Sequence, residues 1–256
     1  MAKSTSSEPA VIDRELPSTA EAAKQPTMVI AAGRGKVGKS VTLRWMIERA
    51  LARGDLPVIA DADRTNATLS AFFPLAIRPA SAEDEDVRLF LNALADDQIG
   101  SRANCFLDLG GGDLTLKQWT RDLDLSAFLT SYGIRPVLLH LLGSDVDDLA
   151  YLRDLETVFA PPHTAIVLNA GMVPTGRSPT TAFAPILEHP VFLDAITRGA
   201  KVLKMPRLGV MQDVDARRLS FAAATEGAAL PPTARQMVQM WRRDMEKAFE
   251  EVTPWM

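Results

Sequence analysis

Short apolar runs alternate along the chain with longer stretches in which apolar residues recur every three or four positions. A short continuous apolar run predicts a strand buried on both faces, whereas the longer spacing predicts an amphipathic helix. Because the two patterns alternate, the predicted fold class is α/β, a doubly wound, mostly parallel sheet with helices on both faces. The predicted strands are Thr27–Ala32, Pro57–Ala60, Asn104–Asp108, Pro136–Leu142, Ala165–Asn169 and Lys201–Met205.

Helices are predicted between and after these strands. The stretch Thr180–Thr197 reads as a helix broken by Pro185 and Pro190. The other predicted helices are Val41–Arg53, Glu85–Asp97, Leu116–Thr130, Asp145–Phe159, Asp213–Ala224 and Arg235–Val252.

The last of these, within a C-terminal helix at 233–252, carries an apolar stripe. Its acidic residues offset its basic ones, whereas membrane-binding helices usually have a basic polar face. We therefore expect it to pack against the domain. The stripe consists of Met237, Trp241, Met245, Ala248 and Val252.

Length and composition predict one large domain with a short tail. Residues 1–26 are rich in Ser, Thr, Ala, Glu and Pro, which predicts a flexible tail, and 27–256 would form the domain. The formal net charge of −4 gives no general affinity for nucleic acid, so any DNA contact needs a local basic patch. A single cysteine, Cys105, and the lack of a long apolar segment or signal-peptide pattern predict a cytoplasmic protein.

One motif carries the strongest chemical signal. Residues 33–40 read G-x-x-x-x-G-K-S, between a predicted strand and a predicted helix, which is the context of a phosphate-binding P-loop. Backbone amides of Gly33, Gly35, Val37 and Gly38 would converge on phosphate oxygens at the helix N-terminus. Lys39 would reach the β- and γ-phosphates, and the hydroxyl of Ser40 would bind Mg²⁺.

Acidic residues follow two of the predicted strands. Asp61 and Asp63 come after the second strand, at the edge where ligands bind in doubly wound sheets. Either could instead form an Asx turn or a helix cap. Asp108 ends the third strand and is followed by glycines 110–112, a Walker B pattern in which the aspartate orients a Mg²⁺-bound water.

Further nucleotide contacts are predicted later in the chain. Asn169 ends the fifth strand, where it could bond the adenine edge or serve as a turn residue before Gly171. Pro206 follows the sixth strand. The complete set of predicted nucleotide-binding residues is Gly33, Gly35, Lys36, Val37, Gly38, Lys39, Ser40, Val41, Asn169 and Pro206.

At Arg34–Ser40 and Asp61–Asp63 the sequence resembles the ParA/MinD family of P-loop ATPases, whose deviant loop reads K-G-G-V-G-K-[ST]. The segment 63–68, D-R-T-N-A-T, is similar to the family's D-P-Q-G-N-A-T. It is closer still to the D-P-V-N-A-T segment of TraL-type nucleotide-binding proteins of conjugative plasmids. Asp108-Leu109-Gly110-Gly111 resembles the family's Walker B segment.

The resemblance implies an ATP- and Mg²⁺-dependent homodimer with weak ATPase activity. Lys39, Asp63 and Arg34 would be catalytic, with Asp63 at the register of the hydrolytic aspartate. Ser40, Asp61 and Asp108 would serve the metal. Arg34 stands where the family has the lysine that reaches the partner's nucleotide; it keeps the charge with a different geometry. Lys36 replaces a loop glycine and is either a substitute charge or simply solvated.

The predicted roles are plasmid or chromosome partition, conjugation, or positioning of another cargo, together with an activating protein partner. Nonspecific DNA binding would use a C-terminal basic group, although such a group is also typical of a solvated face. Two alternatives are a metabolic ligase or kinase, with an acceptor pocket built by the loops 74–84 and 171–190, and a nucleotide-binding scaffold with negligible hydrolysis. The basic residues are Arg198, Lys201, Lys204, Arg207, Arg217 and Arg218.

Overall fold

The computed structural model describes residues 25–111 and 114–255. All but the last two residues of the predicted N-terminal tail lie outside the described residues, as do Gly112, Asp113 and Met256. Six strands form one sheet in the order β2-β3-β1-β4-β5-β6, and every pair of neighbours is parallel. They are β1 Thr27–Ala32, β2 Val58–Ala62, β3 Cys105–Leu109, β4 Arg135–Leu142, β5 His163–Asn169 and β6 Lys201–Met205.

Helices cover both faces of this sheet, which confirms the predicted fold class. The helix that follows β1, the short helix after β2 and the last two helices pack on one face, and the remaining helices cover the other face. They are α1 Lys39–Ala52, α2 Thr68–Phe72, α3 Asp84–Ser101, α4 Leu114–Leu123, α5 Leu125–Ser131, α6 Asp148–Glu156, α7 Pro179–Leu187, α8 Pro190–Thr197, α9 Met211–Ala216 and α10 Pro232–Ala248.

Several predicted boundaries were wrong, three of them with consequences for the interpretation. The helix predicted at Leu116–Thr130 is two helices, because Asp124 between them takes a left-handed conformation with φ of 43° that a continuous helix cannot contain. Asp61 lies inside β2 rather than after it. The helix predicted at Asp213–Ala224 ends at Ala216, and Arg218 is also left-handed, with φ of 49°.

The C-terminal helix packs against the domain, as predicted. Trp241 and Met245 are buried, the ring of Trp241 lies 4.6 Å from that of Phe221, and its Nε1 donates to the carbonyl of Pro206 at 2.9 Å. The predicted stripe was wrong at Met237, which is exposed, because the buried face runs through Val238. The helix also ends at Ala248, and a 3₁₀ segment follows it.

None of the described helices combines the length and apolar character that a membrane crossing needs.

Candidate phosphate-binding site

The loop from Gly33 to Gly38 joins β1, a central strand, to the start of α1. Gly33 and Gly38 have φ of 136° and 101°, values that side chains with a Cβ rarely adopt. A Cβ on Gly33 would lie 2.5 Å from the carbonyl oxygen of Leu141 in β4. The two glycines therefore allow the chain to turn tightly at the carboxyl edge of the sheet, where P-loops lie in this architecture.

Lys39 folds back over this loop. It is buried, and its Nζ lies 3.2 Å from the carbonyl oxygen of Arg34 and 3.5 Å from that of Gly33. Gly38 precedes α1 without a side-chain cap, so amides of the first helical turn remain available to a ligand. A buried ammonium group beside a helix N-terminus is an arrangement that binds phosphate.

A cavity of about 470 Å³ opens above the loop. We call it the P-loop cavity; it is lined by loop and α1 residues between Gly35 and Val41, by the segment from Asp63 to Thr68 and by Gly111. Gly111 lies against the loop, because a Cβ there would be 2.2 Å from the amide nitrogen of Gly35. The chain after β3 thus forms one wall of the cavity.

Ser40 and Asp108 meet at the floor of the P-loop cavity. The Ser40 hydroxyl donates to Asp108 Oδ2 at 2.5 Å, while the buried Oδ1 has no hydrogen-bond partner among the described residues. Burial raises the pKa of Asp108 to about 7, against the opposing hydrogen bond from Ser40 and the charge of Lys39. An unsatisfied buried carboxylate oxygen beside a serine hydroxyl fits a Mg²⁺ ion, which prefers oxygen ligands.

Asp61 is buried beside Asp108, its neighbour in the strand register. Both of its oxygens already accept backbone hydrogen bonds, from Ser70 at 2.8 Å and from Asp63 at 3.3 Å. Among the described residues no group of three or more His, Cys, Asp or Glu side chains could hold a metal alone. A Mg²⁺ ion here would therefore rely on phosphate and water oxygens for most of its ligands.

Asp63 forms the turn that the sequence left open as an alternative. Its Oδ1 accepts the amides of Thr65 at 2.8 Å and Asn66 at 2.9 Å, an Asx-type arrangement. Because both bonds use one oxygen, Oδ2 is available to a water in the P-loop cavity, which Asp63 lines. Asp63 can therefore form the turn through one oxygen and take the predicted catalytic role through the other.

Arg34 points away from this cavity, toward α6. Its Nη1 donates to Asp148 Oδ1 at 3.1 Å and lies 3.6 Å from Asp145 Oδ2. The buried Asp148 also accepts the amide of Gly143 at 2.7 Å. Lys36, by contrast, is exposed in a left-handed conformation with φ of 67° and lines the P-loop cavity.

A second cavity of about 620 Å³ adjoins the first. We call it the Asn169 cavity; it is lined by Asn169 and by residues of the segments 171–175 and 205–212, including Pro206. Lys36, Gly38 and Val41 line both cavities, so the two cavities share a boundary at the P-loop and the start of α1.

Asn169 itself serves as a turn residue and holds the P-loop. Its Oδ1 accepts the amide of Gly171 and its Nδ2 donates to the carbonyl of Val37, both at 2.8 Å. A contact with a nucleotide base stays a prediction. Sequence reasoning missed the bond to Val37 because nothing local links positions 132 residues apart.

Most of the predicted basic group is already engaged within the chain. Arg198 pairs with Glu156, Lys201 with Glu251 and Arg217 with Asp213. Arg207 donates to the carbonyls of Ala170 and Val173. Lys204 and Arg218 are exposed, without a described ion pair.

No protein-family model matches the chain, and no curated protein matches it. Solved structures to which the chain is similar include MinD of Pyrococcus furiosus, at 16% identity and a TM-score of 0.49, with 87% of this chain and 99% of that chain covered. The match to FtsY of Elizabethkingia anophelis, at 12% identity and a TM-score of 0.47, covers 86% of this chain and 66% of the FtsY chain. The match to chloroplast FtsY of Physcomitrella patens, at 15% identity and a TM-score of 0.47, covers 70% of this chain and 58% of the FtsY chain. The chain thus spans less than two thirds of these FtsY chains.

The fold class rests on the chain's own topology, a parallel sheet covered by helices with a glycine-rich loop between its central strand β1 and α1. This is the fold of P-loop NTPases.

Proposed function

We propose that this protein is a nucleotide-switched ATPase of the ParA/MinD type. The observation that carries the proposal is the hydrogen bond from Ser40 to one oxygen of Asp108, whose other oxygen has no partner among the described residues. This pair lies beneath a P-loop whose lysine, Lys39, is buried. These residues suit a phosphate chain and Mg²⁺. The Asn169 cavity next to them has room for a nucleoside.

In the proposed mechanism Lys39 and the loop amides hold the β- and γ-phosphates. Ser40 and Asp108 would hold Mg²⁺, which neutralises charge on the phosphates when bound. Asp63 positions the attacking water through the oxygen that its turn does not use. Asp61 supports this arrangement by fixing the backbone of Asp63 and Ser70.

Binding assays with ATP and GTP, each with and without Mg²⁺, test the nucleotide proposal. We expect tighter binding of ATP than of GTP, strengthened by Mg²⁺ and followed by slow release of phosphate. Absence of binding to either nucleotide would reject the proposal, and a preference for GTP would reject its ATP part.

We also propose that ATP binding produces a homodimer. In that dimer Arg34 would leave Asp148 and reach the partner's nucleotide, which its half-exposed side chain permits. Size measurement with ATP, with ADP and without nucleotide tests this. A dimer specific to ATP supports the proposal, and one constant size under all three conditions contradicts it.

The cellular roles proposed for this switch are DNA partition, conjugation or positioning of another cargo, with a protein partner that stimulates hydrolysis. DNA binding would be nonspecific and would rely chiefly on Lys204 and Arg218, because the other basic residues of the group are engaged. Retention on mixed-sequence DNA at low salt that weakens steeply as salt rises would support this part.

One observation favours a metabolic kinase or ligase as the second candidate. A cavity of about 250 Å³ lies beside Asp63, lined by Arg64, Arg78 and residues 79–82 of the loop predicted to build an acceptor pocket. ATP turnover that requires a small anionic substrate, in a protein that stays monomeric, would favour this candidate over the switch.

A further inference from the structure

Arg44 is an unusual residue for the middle of a core helix. It lies in α1, five residues after Lys39, and only 1% of it is exposed. A buried guanidinium is costly to desolvate, and replacing a buried ion pair with apolar residues often leaves stability unchanged or raises it. The stability of α1 therefore gives no sufficient reason for a charge at this position.

On one side Arg44 contacts the segment that follows the Asp63 turn. Its guanidinium carbon lies 3.3 Å from the centre of the Phe72 ring, at the end of α2. In the same short helix the Ser70 amide bonds to Asp61. Arg44 thus stacks against the segment that forms the Asp63 wall of the P-loop cavity.

On the other side Arg44 contacts α9 and the chain after it. Nη1 donates to Asp215 Oδ1 at 2.6 Å, Nη2 donates to the carbonyl of Leu219 at 3.2 Å, and the Phe221 ring lies 4.7 Å away. One turn further along α1, Glu48 accepts the amides of Phe221 and Ala222. The same helix α9 lines the Asn169 cavity through Met211 and Gln212.

We propose that Arg44 is a positioning residue that joins the two walls of the nucleotide site, the Asp63 segment on the P-loop side and α9 on the Asn169 side. The inference rests on the proposed function only in taking these cavities as a nucleotide site. A guanidinium suits this task because it is planar and weakly hydrated, so it stacks on a ring while its edge donates to fixed acceptors. A lysine keeps the charge, but it lacks the planar surface that stacks on the ring and the forked donors that reach two acceptors at once.

The chain offers a matched control on the same helix. Arg49 also lies near an aromatic ring, 5.2 Å from that of Trp45, and pairs with Glu246 at 2.6 Å. It contacts the C-terminal end of the chain rather than either cavity wall. Arg49→Lys therefore makes the same chemical change without touching the site.

The experiment compares Arg44→Lys and Arg49→Lys with the wild type in binding ATP and inorganic tripolyphosphate. Tripolyphosphate would be held by the loop amides and Lys39, to which the Asp63 segment adds little, whereas ATP would need the Asp63 segment and α9 correctly placed relative to each other. We expect Arg44→Lys to weaken ATP binding about tenfold, the loss of one well-placed interaction, and to leave tripolyphosphate within about twofold. Arg49→Lys should match the wild type for both ligands.

A second measurement does not depend on nucleotide binding. Hydrogen exchange of the ligand-free protein should become faster in both 65–72 and 211–222 in Arg44→Lys, and in neither segment in Arg49→Lys. Asp215→Asn weakens the same link from its partly exposed end, because it removes the counter-charge of Arg44 but keeps an acceptor oxygen and leaves the guanidinium itself in place. Asp215→Asn should weaken ATP binding and speed hydrogen exchange as Arg44→Lys does, but by a smaller amount. The proposal therefore remains testable if Arg44→Lys folds poorly.

Equal behaviour of the Arg44 and Arg49 variants in exchange and in ATP binding would overturn the inference. So would an equal loss of ATP and tripolyphosphate binding in Arg44→Lys, because that indicates general damage. If the wild type binds no nucleotide, the proposed function fails, while the exchange data still decide whether Arg44 links the two walls.

Discussion

The two adjoining cavities of this protein are built in different ways. The P-loop cavity is formed by two nearby segments of chain, 35–41 and 63–68, with Gly111, and has backbone amides and buried carboxylates at its base. The Asn169 cavity is assembled from the ends of β5 and β6 and from α9, and bonds such as that from Trp241 to the Pro206 carbonyl hold its walls. Under the proposed function, phosphate recognition would therefore depend on local motifs, whereas recognition of the rest of the nucleotide would depend on how distant segments pack.

The largest expected effect tests whether the P-loop cavity is the phosphate site. Lys39→Met should weaken binding of both ATP and tripolyphosphate about 100-fold, because a charge-assisted bond to phosphate is lost. Fluorescence titration measures both affinities, and Lys204→Met, a change at an exposed lysine, is the control. If tripolyphosphate binding survives in Lys39→Met, the assignment of the two cavities is wrong.

The second prediction separates chemistry from binding within the P-loop cavity. Asp63→Asn keeps an acceptor oxygen for the Thr65 and Asn66 amides but loses the charge that orients water. ATP hydrolysis should fall about 100-fold while ATP affinity stays within about twofold. Asp63→Ala also removes the acceptor for the turn, so it should lower both the rate of ATP hydrolysis and the affinity for ATP. Unchanged phosphate release in Asp63→Asn would remove Asp63 from the mechanism.

The third prediction concerns a buried histidine near the base of the P-loop. His140 of β4 pairs with Ala32 in the register, has no hydrogen-bond partner for either ring nitrogen among the described residues, and is fully buried. Burial lowers the pKa of His140 to about 3, from an ordinary value of 6.5, and the charge of Lys39 acts in the same direction. The folded state therefore keeps its full stability with respect to His140 above pH 6.5, where the ring is neutral in both states. That stability is lost as pH falls from 6.5 toward 3, because the unfolded chain takes up a proton that the folded protein does not.

Between pH 7.5 and pH 5 the wild type should lose about 2 kcal/mol more free energy of unfolding than His140→Leu, which has no group to titrate there. Urea denaturation at the two pH values measures the difference. Equal losses in the two proteins would show that His140 is hydrated or hydrogen-bonded in solution.

The smallest predicted effect concerns the wall formed by Gly111. A Cβ there meets the backbone of Gly35 and Arg34 at 2.2 to 2.7 Å, so Gly111→Ala must displace the loop. We expect ATP to bind about tenfold more weakly. Tripolyphosphate should lose affinity by the same factor, because the change acts on the P-loop cavity alone. The control is Gly100→Ala in α3, where a Cβ meets nothing within 4 Å. A normal affinity in Gly111→Ala would indicate that this wall moves freely.

Much of the architecture follows from the sequence alone. The six strands were predicted because parallel strands buried on both faces read as continuous apolar runs, and the loop because its glycines and lysine occupy fixed local positions. The acids at the carboxyl ends of β2 and β3 were found because the carboxyl ends of parallel strands meet at one edge of the sheet, where ligands bind. Helix ends were less well predicted, as at Asp124, because a left-handed residue other than glycine leaves little local signal.

The tertiary structure alone decided which side chains meet. Arg34 lies beside Asp148, 114 residues away, and Asn169 bonds to Val37 across 132 residues, contacts that no spacing rule predicts. Arg44 had no predicted role, because a charged residue within an apolar helical pattern gives no sign of the two rings and the carboxylate that surround it. Sequence patterns report local backbone preference and burial, whereas these contacts depend on how strands and helices from distant parts of the chain pack together.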